Sequence, residues 1–169
     1  MEERMTVYIT DDDPSVCATD LADHHVRSKI VDTSRILAAA LRRHGIAGPM
    51  LPRVTEEEVN GPFAVWAASD WNHFVWLGLY GLALVDEFDF RFSGGDPAMA
   101  AIMAAGNIGN LMLDGEPDMP KVWPCLGTEA GYTSDVAVFN AYRKALTDLY
   151  RDRDSVSWTN TKPPRWIES

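Results

Sequence analysis

DLADHHVRSKIVDTSRILAAALRRHG, residues Asp20–Gly45, is the stretch whose reading decides the fold. Apolar residues recur at Ala22, Val26, Ile30, Leu37 and Leu41, in steps of about four that match a helix rather than a strand. Ser34 interrupts the stripe without breaking it. Asp20 fits an N-cap or first-turn acid, and Gly45 fits a C-terminal stop. Arg42, Arg43 and His44 fall in the last turn, where the helix dipole favours positive charge. On a neighbouring face lie His25, Lys29 and Asp32, at spacings of four and three. Those spacings put a base, an ammonium and a carboxylate on one strip of a helix. The strip is a candidate site; the plainer reading is a solvated face with one ion pair.

Upstream, Thr6–Thr10 (TVYIT) is β-branched and aromatic and reads as a strand or an extended entry segment within residues 1–15. DDDP at Asp11–Pro14 ends it as a turn, because Pro14 pushes Asp13 out of helical geometry. Downstream, Gly45–Asn60 reads as a surface loop. Pro62–Phe90 reads as one long helix with Pro62 at its first position. Its stripe of Trp66, His73, Leu77, Tyr80 and Leu84 lies beside a second of Val65, Ser69, Asn72, Trp76, Leu79 and Ala83. A helix apolar on two adjacent stripes belongs in the middle of a bundle. Gly78 and Gly81 lower its propensity, and their use is to let another helix come close.

Pro97–Leu113 reads as a third helix, rich in Met as core filler. Asp114–Tyr132 reads as a long loop of the kind that caps something. Ser134–Arg151 reads as a fourth helix, with Ser134 as cap. Its buried side is Val138, Ala141, Ala145 and Leu149 with Phe139, Tyr142, Leu146 and Tyr150. The tail from 152 to 169 carries Trp158, Lys162, Arg165 and Trp166. Aromatics alternating with cations can stack on bases and pair with phosphates, or can pin the tail to the surface. The expectation is an all-α, single-domain bundle of about four helices over 1–169.

Composition narrows the class. A chain of 169 residues can bury a real core without staples. No run of eighteen apolar residues offers a membrane span, and MEERMTVYIT is no signal peptide. Cys17 and Cys125 make neither a metal-site spacing nor a disulfide framework, which points to a reducing cytoplasm. The net charge of −10 argues against broad, non-specific nucleic-acid binding. A local basic patch remains available, since six of the 15 basic residues lie at Arg27, Lys29, Arg35, Arg42, Arg43 and Arg53. There is no glycine-rich phosphate loop, HExxH, CxxC pair or GxSxG, so the usual nucleotide-hydrolysing, zinc-protease and serine-hydrolase readings lack support.

Several segments together resemble a family of small phage-encoded proteins. They are MTVYITDDDP; DLADHHV, with Asp32 seven residues beyond His25; GPFAVWAASDWNHFVWLGLYGLALVDEF; AYRKAL; and SWTNTKPPRWI. They span most of the chain apart from its two long loops. The family is the pyrimidine-dimer DNA glycosylase-like group, which is similar to the α-glutamyl/putrescinyl thymine pyrophosphorylases of phage DNA hypermodification. The resemblance implies an all-α fold like that of endonuclease V, in the cytoplasm of an infected bacterial host. It implies a reaction in which a small amine displaces pyrophosphate from a 5-pyrophosphomethyl uracil in DNA, with no cofactor and no metal.

On that expectation, Asp32 is the general base, and Lys29, His25 and Arg35 neutralise the departing pyrophosphate. Asn72 and His73 orient the site from the second long helix. Trp158 and Trp166 stack on DNA, Lys162 and Arg165 take its phosphates, and Trp76 is counted among the substrate-binding residues. Three departures from the family pattern are visible. Asp32 is one methylene shorter than the Glu of the glycosylase. The family lysine slot is Ser28 here, and Lys29 is turned from it by about 100° around the helix. MEER precedes Met5-Thr6, so the Thr6 α-amine of the glycosylase mechanism is free only if the chain starts at Met5. The alternatives are a glycosylase using Thr6 and Asp32, and a non-enzymatic phage protein that binds a host protein, which the acidic charge favours.

Overall fold

Pro14 is tolerated at the start of a helix because its missing N–H would have no partner there, and Asp13 beside it supplies a cap. The Asp13 carboxylate accepts from the Ser15 amide, and helix α1 runs Pro14–Asp20. The computed structural model describes residues 5–96, 98–126 and 131–167. After α1 come α2 (Asp23–Arg43), α3 (Glu56–Val59), α4 (Pro62–Ser69), α5 (Trp71–Phe92), α6 (Met99–Met112) and α7 (Ala137–Leu149). Strands β1 (Trp123–Pro124) and β2 (Tyr132–Thr133) pair antiparallel in the only sheet among the described residues. Short 3-10 turns at Arg153–Ser155 and Arg165–Ile167 follow α7. The fold is all-α.

The stripe on α2 behaves as its spacing predicts: Ala22, Val26, Ile30, Leu37 and Leu41 have no solvent exposure. Its start does not. Asp20 ends α1 and takes a hydrogen bond from the Thr10 hydroxyl, while α2 begins three residues later behind Ala22, without a side-chain cap. Gly45 closes the helix with φ +73°, a conformation that costs other residues a Cβ clash.

Pro62–Phe90 is not one helix. Asp70 adopts an extended backbone at φ −157° and its carboxylate caps Asn72, so the chain breaks into α4 and α5, and α5 runs on to Phe92. A cap residue that competes for the backbone stops a helix that periodicity alone would continue. The glycines do what their place suggests. A Cβ on Gly81 would meet Ile102 at 2.9 Å, and one on Gly78 would meet the Cα of Gly106 at 3.7 Å, so α5 and α6 lie close together. Gly45–Asn60 is not all loop either: Thr55 and Glu58 form a reciprocal capping box that nucleates α3.

Thr6–Thr10 is extended and buried, with Val7 and Ile9 fully inside, and it belongs to no sheet among the described residues. On α7 the buried row is Val138, Tyr142 and Leu146, continued by Tyr150; Ala141 and Leu149 face solvent. Asp135, not Ser134, caps α7 by accepting from the Ala137 amide. The third helix starts at Met99; the expected start at Pro97 lies outside the described residues. One main core takes side chains from the entry segment, α1, α2, α4, α5, α6, β1, α7 and the final turn. No described helix is long and apolar enough to cross a membrane.

Candidate active site on the second helix

Lys29 lies on the turn of α2 after His25, and helical spacing carries both side chains to the same side. There the entry segment covers them. The Tyr8 ring sits 5.3 Å from the Lys29 ammonium and 5.3 Å, centre to centre, from the His25 ring. His25 is fully buried and Lys29 is 1% exposed. Taking an ammonium out of water is costly unless it is paired, and Lys29 Nζ donates to Asp32 Oδ2 at 3.1 Å. Asp32 keeps a quarter of its side chain exposed (25%), so the pair runs from the interior to the surface.

His25 is held from α7's end. Tyr150, fully buried, accepts from the Ala22 amide at 3.0 Å through its hydroxyl. The same hydroxyl lies 2.5 Å from His25 Nδ1. The phenol oxygen takes the amide on one lone pair and keeps its proton and a second lone pair for the imidazole, so the direction of this bond is set by the tautomer of His25. Tyr80, on α5, is wholly buried, and its hydroxyl has no hydrogen-bond partner among the described residues. Burial holds that phenol well above its ordinary pKa, and the nearby Cys17, Tyr150, Tyr8 and Asp32 add to the effect. Tyr80 is therefore a neutral hydroxyl in the neighbourhood of the strip. Tyr80 and Tyr150 lie in apolar helix stripes and Tyr8 in the extended entry segment; the signal that could have found them is that a buried Tyr brings a hydroxyl needing a partner.

The remaining candidates do not join this strip. Arg35 makes a two-pronged pair with Glu58, Nε to Oε2 at 2.8 Å and Nη2 to Oε1 at 2.7 Å, and also donates to the Arg53 carbonyl. Glu58 holds the guanidinium above its ordinary pKa, and Arg35 in turn holds the Glu58 carboxyl low. Asn72 and His73 sit at the start of α5, against the far end of α2, where His44 stacks on Trp71. Arg91, at the other end of α5, is the part that meets the start of α2, through Asp23. The two helices are thus antiparallel, and Asn72 and His73 lie at the opposite end from His25. Asn72 accepts from the Asp118 amide, and His73 stacks on Trp66 and bonds to its carbonyl. Trp76 is core: it is 3% exposed, stacks on Tyr80, and donates to the Asp12 carbonyl.

The tail is pinned. Trp158 donates to the Asp20 carbonyl at 3.2 Å and stands edge-on to Tyr150. Trp166 hydrogen-bonds the Asp20 side chain, and Arg143 lies over its ring. Burial raises the Asp20 carboxyl despite those bonds. Lys162 and Arg165 remain exposed.

A second polar centre, unread in the sequence, anchors the tail beside the strip. Asp23 accepts from Arg91, from the Ser157 hydroxyl, and from both the amide and the hydroxyl of Thr159. Burial alone would raise its pKa; the bonds from Thr159, Ser157 and Arg91 outweigh it and hold the carboxyl below its ordinary value. Arg91, buried, also bonds Glu87 and the carbonyls of Leu21 and Thr19, clamping the α1–α2 junction. Among the described residues no group of three His, Cys, Asp or Glu is placed to hold a metal ion.

No protein-family model matches the chain, and no curated protein or solved structure matches it either.

Proposed function

We propose that this protein is a DNA-thymine-modifying enzyme in which an amine displaces pyrophosphate from 5-pyrophosphomethyl uracil, with the Lys29–Asp32 pair at its chemical centre. The segments that resemble the phage thymine-modifying family supply the reaction class. The observation that carries the assignment of residues is the pair itself, a buried ammonium joined to a carboxylate that reaches solvent.

The chemistry needs both halves. The amine lone pair forms a C–N bond to the 5-methylene carbon as the C–O bond breaks, and pyrophosphate leaves with the electron pair. The new ammonium then holds one proton too many, and Asp32 accepts it as general base. Lys29 opposes the charge on the leaving group from a poorly solvated position, where such an interaction is strong. His25, tied through Nδ1 to the Tyr150 hydroxyl, is a second polar group on the strip. Arg35, tied to Glu58, drops out of the phosphate-binding role. Trp158 and Trp166, tied to Asp20, drop out as stacking platforms, which leaves the exposed Lys162 and Arg165 for DNA phosphates. The target base has to leave the stack to reach the strip.

The net charge of −10 favours a second reading, a non-enzymatic protein that binds a host protein. The deciding experiment incubates the folded protein and a panel of amines with DNA carrying pyrophosphomethyl uracil and with unmodified DNA, and identifies products by mass. The proposal expects an aminomethyl adduct on the modified DNA alone. A free base or abasic site, with an adduct trapped by borohydride, would assign a glycosylase. No product from either DNA would leave the non-enzymatic reading.

A further inference from the structure

Beside the strip, the first turns of α2 and the segment after α7 border an open pocket of about 460 Å³, lined by Asp23, His24, Arg27, Ser28, Ser155 and Ser157. That volume lies in the range of about 300–1,000 Å³ usual for small-ligand sites. Its one carboxylate is already committed. One Asp23 oxygen accepts from Arg91 and the Thr159 amide, and the other from the Ser157 and Thr159 hydroxyls. What the pocket has left to offer is donors. Arg27 has no carboxylate partner among the described residues; its guanidinium is held 4.1 Å over the Phe92 ring. An arginine held over an aromatic ring presents its donor edge. The Ser28 hydroxyl makes only a 3.5 Å bond to the His25 carbonyl, which is weak enough to exchange for a ligand. The His24 ring lies 4.2 Å from that of His25, so the pocket shares a wall with the strip.

We propose that this pocket is a phosphate-binding subsite in which Arg27, His24 and Ser28 donate to phosphate oxygens while Asp23 is kept silent by Arg91, Thr159 and Ser157. A guanidinium fork with a hydroxyl and a ring N–H suits the tetrahedral oxygens of a phosphate. The phosphate comes from the DNA backbone or from a small phosphate such as pyrophosphate; the chemistry of capture is the same. The assignment stands on the pocket and goes beyond the reaction proposed above.

Calorimetric titration with inorganic pyrophosphate, and separately with a thymidine oligonucleotide lacking terminal phosphates, tests it on the full chain. At least one should bind. Arg27→Gln should weaken that binding by about 10- to 100-fold, and Ser28→Ala by less. Arg151→Gln, at an exposed arginine paired with Asp148, should leave it unchanged. Binding of pyrophosphate alone assigns the site to a small phosphate; binding of the oligonucleotide, with pyrophosphate competing or inert, assigns it to the backbone. Failure of both to bind, or equal losses in the Arg27 and Arg151 variants, overturns the proposal. Binding lost in Arg27→Gln, from a protein that turns over no modified DNA, removes the reaction and keeps the subsite. Turnover whose KM and pyrophosphate inhibition ignore Arg27→Gln does the reverse.

Discussion

At the scale of single residues, environment decides what each ionisable group can do. Cys17 is wholly buried, and burial pushes its thiol up to about 12, so it is not a nucleophile near neutral pH. Cys125 is only partly buried. A thiol reagent should therefore titrate one cysteine in the native protein and two after denaturation; two rapid native reactions would contradict the burial of Cys17. Asp23 is the opposite case, a carboxyl held below its ordinary value of 3.8. A depressed folded-state pKa adds stability that is present above the unfolded value and is lost as pH falls through the folded one. Melting temperature should thus fall more steeply below about pH 4 in the wild type than in Asp23→Asn, which has no charge there to lose. Parallel acid limbs would show that the carboxylate contributes no such linkage. Sequence could show His25, Lys29 and Asp32 as one strip because helical spacing is local. It could not show Tyr150 on His25, Arg91 on Asp23, or Glu58 on Arg35, because those partners lie between 23 and 125 positions apart and meet only through the fold.

Between elements, the contact of α5 with α6 depends on missing side chains. A Cβ at Gly109 would stand 2.6 Å from the Phe74 ring, inside any allowed contact. Gly109→Ala should accordingly destabilise the protein by about 1–3 kcal/mol, as overpacking does, read from chemical denaturation. A neutral result would mean that the two helices slide apart freely. Periodicity found the four long helices and the α2 stripe. It missed the break at Asp70, where one capping carboxylate outweighs a continuous apolar pattern, and it missed α1 and α3, which are too short to show a period. The β-branched and aromatic residues of Thr6–Thr10 pointed to a strand or an extended segment, and the segment is extended without a strand partner among the described residues. That segment lays Tyr8 over Lys29 and His25, so its burial matters more to the site than any strand pairing.

Over the whole molecule, the entry segment, α2, the end of α5 and the tail converge on one region, with the strip and the pocket around Arg27 and Ser28 sharing the His24–His25 wall. The opposite end of α5, with Asn72 and His73, is built from stacked aromatics and backbone-directed bonds and serves the core. Under the proposed function, Lys29 and Asp32 carry the chemistry, Lys162 and Arg165 meet DNA phosphates, and the other residues that the sequence singled out serve as support. The most direct test is the rate of pyrophosphate release from DNA containing pyrophosphomethyl uracil, measured with an amine for the wild type and for Asp32→Asn. Asn keeps the shape and can still accept a hydrogen bond from Lys29, so the fold should survive, checked by circular dichroism. The rate should fall by about 10²–10⁴ on loss of the general base. A folded Asp32→Asn protein that releases pyrophosphate as fast as the wild type would contradict the account.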